Sequence, residues 1–203
     1  MKYLLLLLLP IFASSGTKEN NNERYSESHI AELVLEKARK YNVDPKILYT
    51  IIKIESAFDP FAIAVETSYA SAMMLKSLAS DNIKILIGRT YHSRIWLVSI
   101  FTKSESDAIF IIKLLKKLKF GFDVGLMQIN TGNFDSKEVA GMIYPENNIE
   151  KGAKIFKSCT KQFKTFKNKV ECYNRGGGNL RKSLRKGNTY SPYYKRYIKN
   201  YAF

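Results

Sequence analysis

The stretch from Leu48 to Glu55 constrains this chain most, because it sets a carboxylate inside an aliphatic stripe. Counting back three, four and seven positions from Glu55 along a helical period gives Ile52, Ile51 and Leu48, so every same-face neighbour is apolar. A helix with that face packs against a hydrophobic core and carries its acid inside with it. An ionised, unpaired carboxylate there would cost several kcal/mol. Such surroundings raise its pKa instead and equip Glu55 to donate a proton near neutral pH. A buried glutamate paired with one of the many lysines is the plainer alternative, and the helix alone does not separate the two.

The ends of that helix are legible. Asn42-Val43-Asp44-Pro45 reads as a turn that starts it, with Asp44 as cap and Pro45 in the first position, and Asp59-Pro60 closes it. An earlier helix starts near Ser28, whose side chain caps it, and runs to about Tyr41 with Ile30, Leu33, Val34 and Lys37 in step. Ile95 to Phe101 has the composition of a strand, with Ala62 to Val65 as its candidate partner. Ser106 to Lys119 places Ile109, Ile112, Leu115 and Leu118 on one helical face, and further helices are expected from about Asn148 to Lys164 and from about Lys167 to Tyr173. Residues 66–92 carry no pattern that assigns them. Without internal repeats or a Pro- or Gly-rich linker, the expectation is one mostly helical domain with a small β element.

The N-terminus speaks to compartment. Lys2, the apolar run Leu4 to Phe12 and the small residues Ala13-Ser14-Ser15 have the layout of a secretory signal peptide over residues 1–15. Its apolar core is too short for a bilayer, which takes about 20 residues, so no transmembrane segment is expected in the mature chain. Residues 16–26, with Asn20, Asn21 and Asn22 in a row, read as a flexible leader. The expected location is the periplasm or beyond it. Cys159 and Cys172 then meet an oxidising compartment, where a pair thirteen positions apart can join two adjacent helices. With only His29 and His92 beside them, and no ligand spacing, no zinc site is expected.

Thirty-three Lys and Arg against eighteen Asp and Glu give a net charge of +15, and no acidic residue follows Glu171. A surface of that kind favours polyanions, when it is more than a solvated face. Export turns the choice away from nucleic acid and towards anionic wall polymer or lipid headgroups.

Three segments carry chemistry: Ile54-Glu55-Ser56-Ala57-Phe58-Asp59-Pro60, Asp123-Val124-Gly125-Leu126-Met127-Gln128-Ile129-Asn130, and Cys172-Tyr173-Asn174-Arg175-Gly176-Gly177. In this order they resemble the three motifs of the lytic transglycosylases of the lysozyme superfamily, over roughly residues 27–178. Asp-Val directly before Gly-Leu-Met-Gln-Ile-Asn, and a long insertion between Pro60 and Asp123, look closest to the specialised transglycosylases of type IV secretion and conjugation machines. The resemblance implies a mostly α (α+β, lysozyme-like) domain over 27–188, with the insertion between its first two motifs, followed by a basic, Tyr-rich tail over 189–203.

It also implies a reaction on peptidoglycan strands: cleavage of the β-1,4 bond between N-acetylmuramic acid and N-acetylglucosamine. In that family one carboxylic acid protonates the leaving oxygen and then accepts the proton of the C6 hydroxyl of the same sugar. A 1,6-anhydromuramoyl end forms and no water is consumed. No metal or cofactor is implied. Glu55 matches the acid/base position and Ser56 the serine beside it. Met127 and Gln128 match cleft-lining residues, with Asn130 on the same loop. Tyr173 matches the residue whose hydroxyl steadies the carboxylate, and Asn174 the one that braces its loop. Asp59 and Asp123 read as braces of turn and loop. Cys172 stands where small Ala is common, so a Cys159–Cys172 bridge would stiffen the active-site wall, and Gly176-Gly177-Gly178 implies a looser loop than usual. Tyr190, Tyr193 and Tyr194 either pack or stack on sugars. A water-using muramidase and a non-catalytic wall-binding assembly factor are the alternatives, and components of a secretion apparatus are the further partners implied.

Overall fold

The computed structural model describes residues 25–90, 94–135 and 137–201. The expected signal peptide and most of the leader lie outside them.

Helix α1 (Glu27–Tyr41) starts slightly earlier than its pattern indicated. Ser26, not Ser28, is the cap, its hydroxyl accepting the His29 N–H at 3.2 Å. Helix α2 (Pro45–Ser56) starts as read, with the Asp44 carboxylate accepting the Lys46 N–H at 2.9 Å and Pro45 in the first turn. It ends before Asp59-Pro60, however. Ala57 and Phe58 both take left-handed backbone (φ 52° and 66°), so the chain leaves the helix through a sharp corner directly after Ser56. Each such residue costs roughly 1–2 kcal/mol outside glycine. That strain is held at the residues next to Glu55.

The insertion folds as the sheet lobe. Strand β1 (Ile63–Thr67) pairs antiparallel with β3 (Trp96–Thr102), Val65 opposite Val98, as the composition of both segments indicated. The unassigned residues 66–92 hold the end of β1, helix α3 (Tyr69–Lys76) and strand β2 (Ile83–Arg89), which pairs with β3. Helix α4 (Glu105–Lys117) follows. Two-residue strands β4 (Asp123–Val124) and β5 (Ile129–Asn130) complete the order β2-β3-β1-β4-β5. Helices α5 (Pro145–Gln162), α6 (Phe166–Arg175), α7 (Gly177–Arg185) and α8 (Pro192–Tyr201) close the chain.

Two hydrophobic cores result. One gathers α1, α2, α5, α6 and α8 around Leu126, Met127 and Ile129. The other lies under the sheet, α3, α4 and the short helical turn Val139–Ile143. Residues 123–130 bridge them, Val124 in the second core and Leu126 in the first.

Two details depart from expectation. Gly176-Gly177-Gly178 is no loose loop: Gly176 (φ 76°) ends α6, and α7 starts at Gly177. The Tyr-rich tail contributes α8, whose Tyr193 and Tyr197 are buried in the first core against α2 and α6. Cys159 of α5 and Cys172 of α6 are bonded to each other and buried with Phe163 and Leu180, which ties the α5, α6 and α7 wall together. Among the described residues, no helix is long and apolar enough to cross a membrane.

Candidate active site

Helix α2 delivers Glu55 into the first core. Its residue is 4% exposed, and its same-face neighbours Leu48, Ile51 and Ile52 are fully buried. The next residue, Ser56, joins the first motif to the second: its hydroxyl donates to the Leu126 carbonyl at 2.9 Å.

The second motif is fixed at almost every residue. Gly125 (φ 76°) takes a backbone that side chains disfavour, and a Cβ there would fall on the Asn148 amide and the Met142 carbonyl. Asn148, fully buried on α5, uses the space. Its Oδ1 accepts the Met127 N–H at 2.8 Å, while its Nδ2 donates to the Val124 carbonyl at 2.9 Å and the Met142 carbonyl at 2.7 Å. Met127 is fully buried, its sulfur lying against Gly152 of α5, so it is a core residue and does not line the cleft with its side chain. Gln128 lines the groove as expected, but not with its donors. Its amide Nε2 donates at 2.9 Å to both the Ala62 and Gly125 carbonyls, so both donor hydrogens brace the loop and only the acceptor Oε1 remains for a ligand. The side chain of Asn130 accepts the Gly132 N–H at 3.0 Å and shapes the turn beyond β5.

The third motif meets the second through Tyr173. Its hydroxyl donates to the Met127 carbonyl at 2.7 Å. The proton of the phenol thus goes to the backbone, and its oxygen keeps acceptor capacity. Glu55 is still close: burial, then the charges of Glu55 and Asp123, hold the Tyr173 phenol well above its usual pKa. Asn174 follows on α6, half-buried.

A further tyrosine belongs to the site. The Tyr193 hydroxyl, buried on α8, faces the Glu55 carboxyl without the geometry of a full hydrogen bond. Burial first and the Glu55 charge second push its pKa well above the phenol range. The sequence offers Tyr193 as a residue that packs or stacks on sugars; it packs, 1% exposed, and its spacing with Tyr197 on one helical face fits that. Tyr190 is 58% exposed and Tyr194 half-buried.

Beside these residues runs a groove of about 420 Å³, lined on one side by Gln128, Ile129, Asn130 and Asn133 and on the other by Ile155, Tyr173, Arg175, Gly176 and Asn179. Glu55 is buried and is not among the residues that line this groove; its neighbour Tyr173 is. Among the described residues, no cluster of His, Cys, Asp and Glu could hold a metal ion. What the arrangement offers is one enclosed carboxyl, two neutral phenols and a groove of amides.

Asp59 serves its turn as expected, accepting the Phe61 N–H at 2.8 Å. Burial pushes its pKa up to about 6, against the pull of that hydrogen bond. An acid with a raised folded-state pKa favours the fold at low pH, and this contribution is lost as pH rises through about 6. Asparagine keeps the acceptor and removes the charge. Thermal melts of Asp59→Asn should therefore exceed wild type at pH 8, with the difference shrinking towards pH 4. A difference independent of pH would contradict this.

Compared with protein-family models, residues 32–195 match the Transglycosylase SLT domain. No curated protein and no solved structure gives a match.

Proposed function

The chain belongs to the transglycosylase SLT-domain family, and from that premise we propose that it cuts the β-1,4 bond between N-acetylmuramic acid and N-acetylglucosamine of peptidoglycan, leaving 1,6-anhydromuramoyl ends. One observation carries the reading: the Ser56–Leu126 and Tyr173–Met127 hydrogen bonds lock the three motif segments together around a buried Glu55. In the first half-reaction the Glu55 carboxyl gives its proton to the glycosidic oxygen as the bond to C1 breaks. In the second, the C6 hydroxyl of the same sugar bonds to C1 and returns its proton to Glu55. The acid ends as it began, and no water is taken up. Tyr173 and Tyr193, kept protonated by burial, add no competing charge beside it.

The layout of residues 1–15 and the bonded pair Cys159–Cys172 support an exported, periplasmic protein. Asp123-Val124 before the second motif, and an insertion that folds as a sheet lobe, support a role in opening the wall locally for a secretion or conjugation machine. Asp123 favours a second chemistry. A water-using muramidase needs a second carboxylate roughly 5–9 Å from the first, and Asp123, which like Glu55 acts on Tyr173, is the candidate for it.

Incubation of purified sacculi with the protein tests the reading. Soluble disaccharide-peptides should appear in the supernatant, with ends that borohydride does not reduce. Protein that sediments with sacculi and releases nothing would leave only the wall-binding assembly factor.

A further inference from the structure

The groove beside Glu55 has one charged side chain in its lining, and it is a cation. Arg175 stands among Asn130, Asn133 and Asn179, with no carboxylate on the groove surface. The wall that carries it is unusually basic: residues 151–203 hold fifteen Lys and Arg against a single acid, Glu171. That acid is turned inward. Glu171 is 1% exposed, and its Oε1 accepts the Tyr194 N–H at 2.8 Å at the start of α8.

The guanidinium is oriented without being consumed. Arg175 Nε lies 3.4 Å from Glu171 Oε2, an ion-pair distance at which Oε2 still makes no hydrogen bond, and Nη1 donates to the Ser183 hydroxyl at 3.4 Å. Both contacts are long for charge-assisted bonds, which form at about 2.7–2.9 Å. They fix the plane of the group and leave its donors for a stronger acceptor. A guanidinium fork can take a carboxylate through two parallel bonds.

We propose that Arg175 binds a carboxylate of the peptide substituents carried by the muramic acid residues, so that the groove takes peptide-bearing glycan in preference to neutral glycan. The proposal rests on the peptidoglycan reading above and specifies which part of the substrate the groove holds. Arg175 acts in binding; it has no part in the proton transfers of Glu55.

Affinity is measured in the Glu55→Gln background, so that strands stay uncut and binding is read apart from turnover. The probes are soluble peptide-bearing strands, the same strands with their carboxylates converted to amides, and strands stripped of peptide, all in 0.3 M salt to screen general charge attraction. Peptide-bearing strands should bind about tenfold more tightly than the amidated ones, and Arg175→Gln should abolish that ratio. The double change Glu171→Gln with Arg175→Gln removes the buried acid left behind and should give the same loss. Equal binding of native and amidated strands would overturn the proposal. So would discrimination that survives Arg175→Gln, or stripped strands that bind as tightly as peptide-bearing ones. Failure of the catalytic reading shows separately, as wild-type protein that releases nothing from sacculi.

Discussion

Glu55→Gln is expected to fold normally, bind glycan and release almost nothing from sacculi, with the initial rate of solubilisation reduced by about 10³-fold or more. The size follows from the site. In the proposed reaction one acid serves both half-reactions, so its loss would remove the proton donor and the base together. The amide has the shape of the carboxylic acid but cannot give up a proton to the leaving oxygen. Stability should be unchanged or improved, because the side chain is 4% exposed among fully buried aliphatics and a neutral amide is easier to bury there than a carboxylate. Rates and melting temperatures are measured on the same preparations. A rate within tenfold of wild type would remove Glu55 from the reaction, and a large fall in melting temperature would make its role structural.

Asn148→Ala should be the most damaging change to the fold outside the large core side chains. It strips the partner from the Met127 N–H and from the Val124 and Met142 carbonyls, all buried. At roughly 1–3 kcal/mol for each unsatisfied group, with partial relaxation, the expected loss is about 4 kcal/mol. Domains are stable by about 5–15 kcal/mol, so the variant should sit close to its unfolding threshold. Denaturant titration should show a large drop in midpoint with little change in slope. Asn148→Asp keeps the acceptor for Met127 but turns a carboxylate towards two carbonyls, and it should fall comparably. A loss below about 1 kcal/mol for both would mean that the second motif holds its shape without this anchor.

The sequence carried the parts of this molecule that depend on local chemistry. Asp44-Pro45 set the start of α2, and the stripe of Leu48, Ile51 and Ile52 placed Glu55 in the core, because caps and helical periodicity act within a few residues. Strands β1 and β3 were visible in their β-branched and aromatic residues. Strand β2 was not. Ile83, Ile85 and Ile87 alternate, but α3 before them is only eight residues long and too short to show a period. The end of α2 was misplaced because positive backbone angles at Ala57 and Phe58 run against residue preference and are imposed by the surrounding fold.

The site divides in the same way. Glu55, Ser56 and Tyr173 could be named from their motifs, whereas their partners depend on chain segments far apart in sequence. Nothing local marks Asn148 as the amide that holds Met127, or assigns Tyr173 to a backbone carbonyl 46 positions away. Gln128 reads as a ligand contact by residue type, and only the positions of the Ala62 and Gly125 carbonyls show its donors engaged internally. Tyr193 joins the site because α8 packs on α2, a contact that the basic composition of the tail conceals.

Digestion of purified sacculi in water enriched in oxygen-18, followed by mass spectrometry of the soluble fragments, tests the central claim most directly. If Glu55 works alone and the sugar's own C6 hydroxyl closes the bond, the new muramic ends carry no heavy oxygen. One heavy oxygen for each bond cut would show that water is the nucleophile, and a single recycled acid would no longer account for the site.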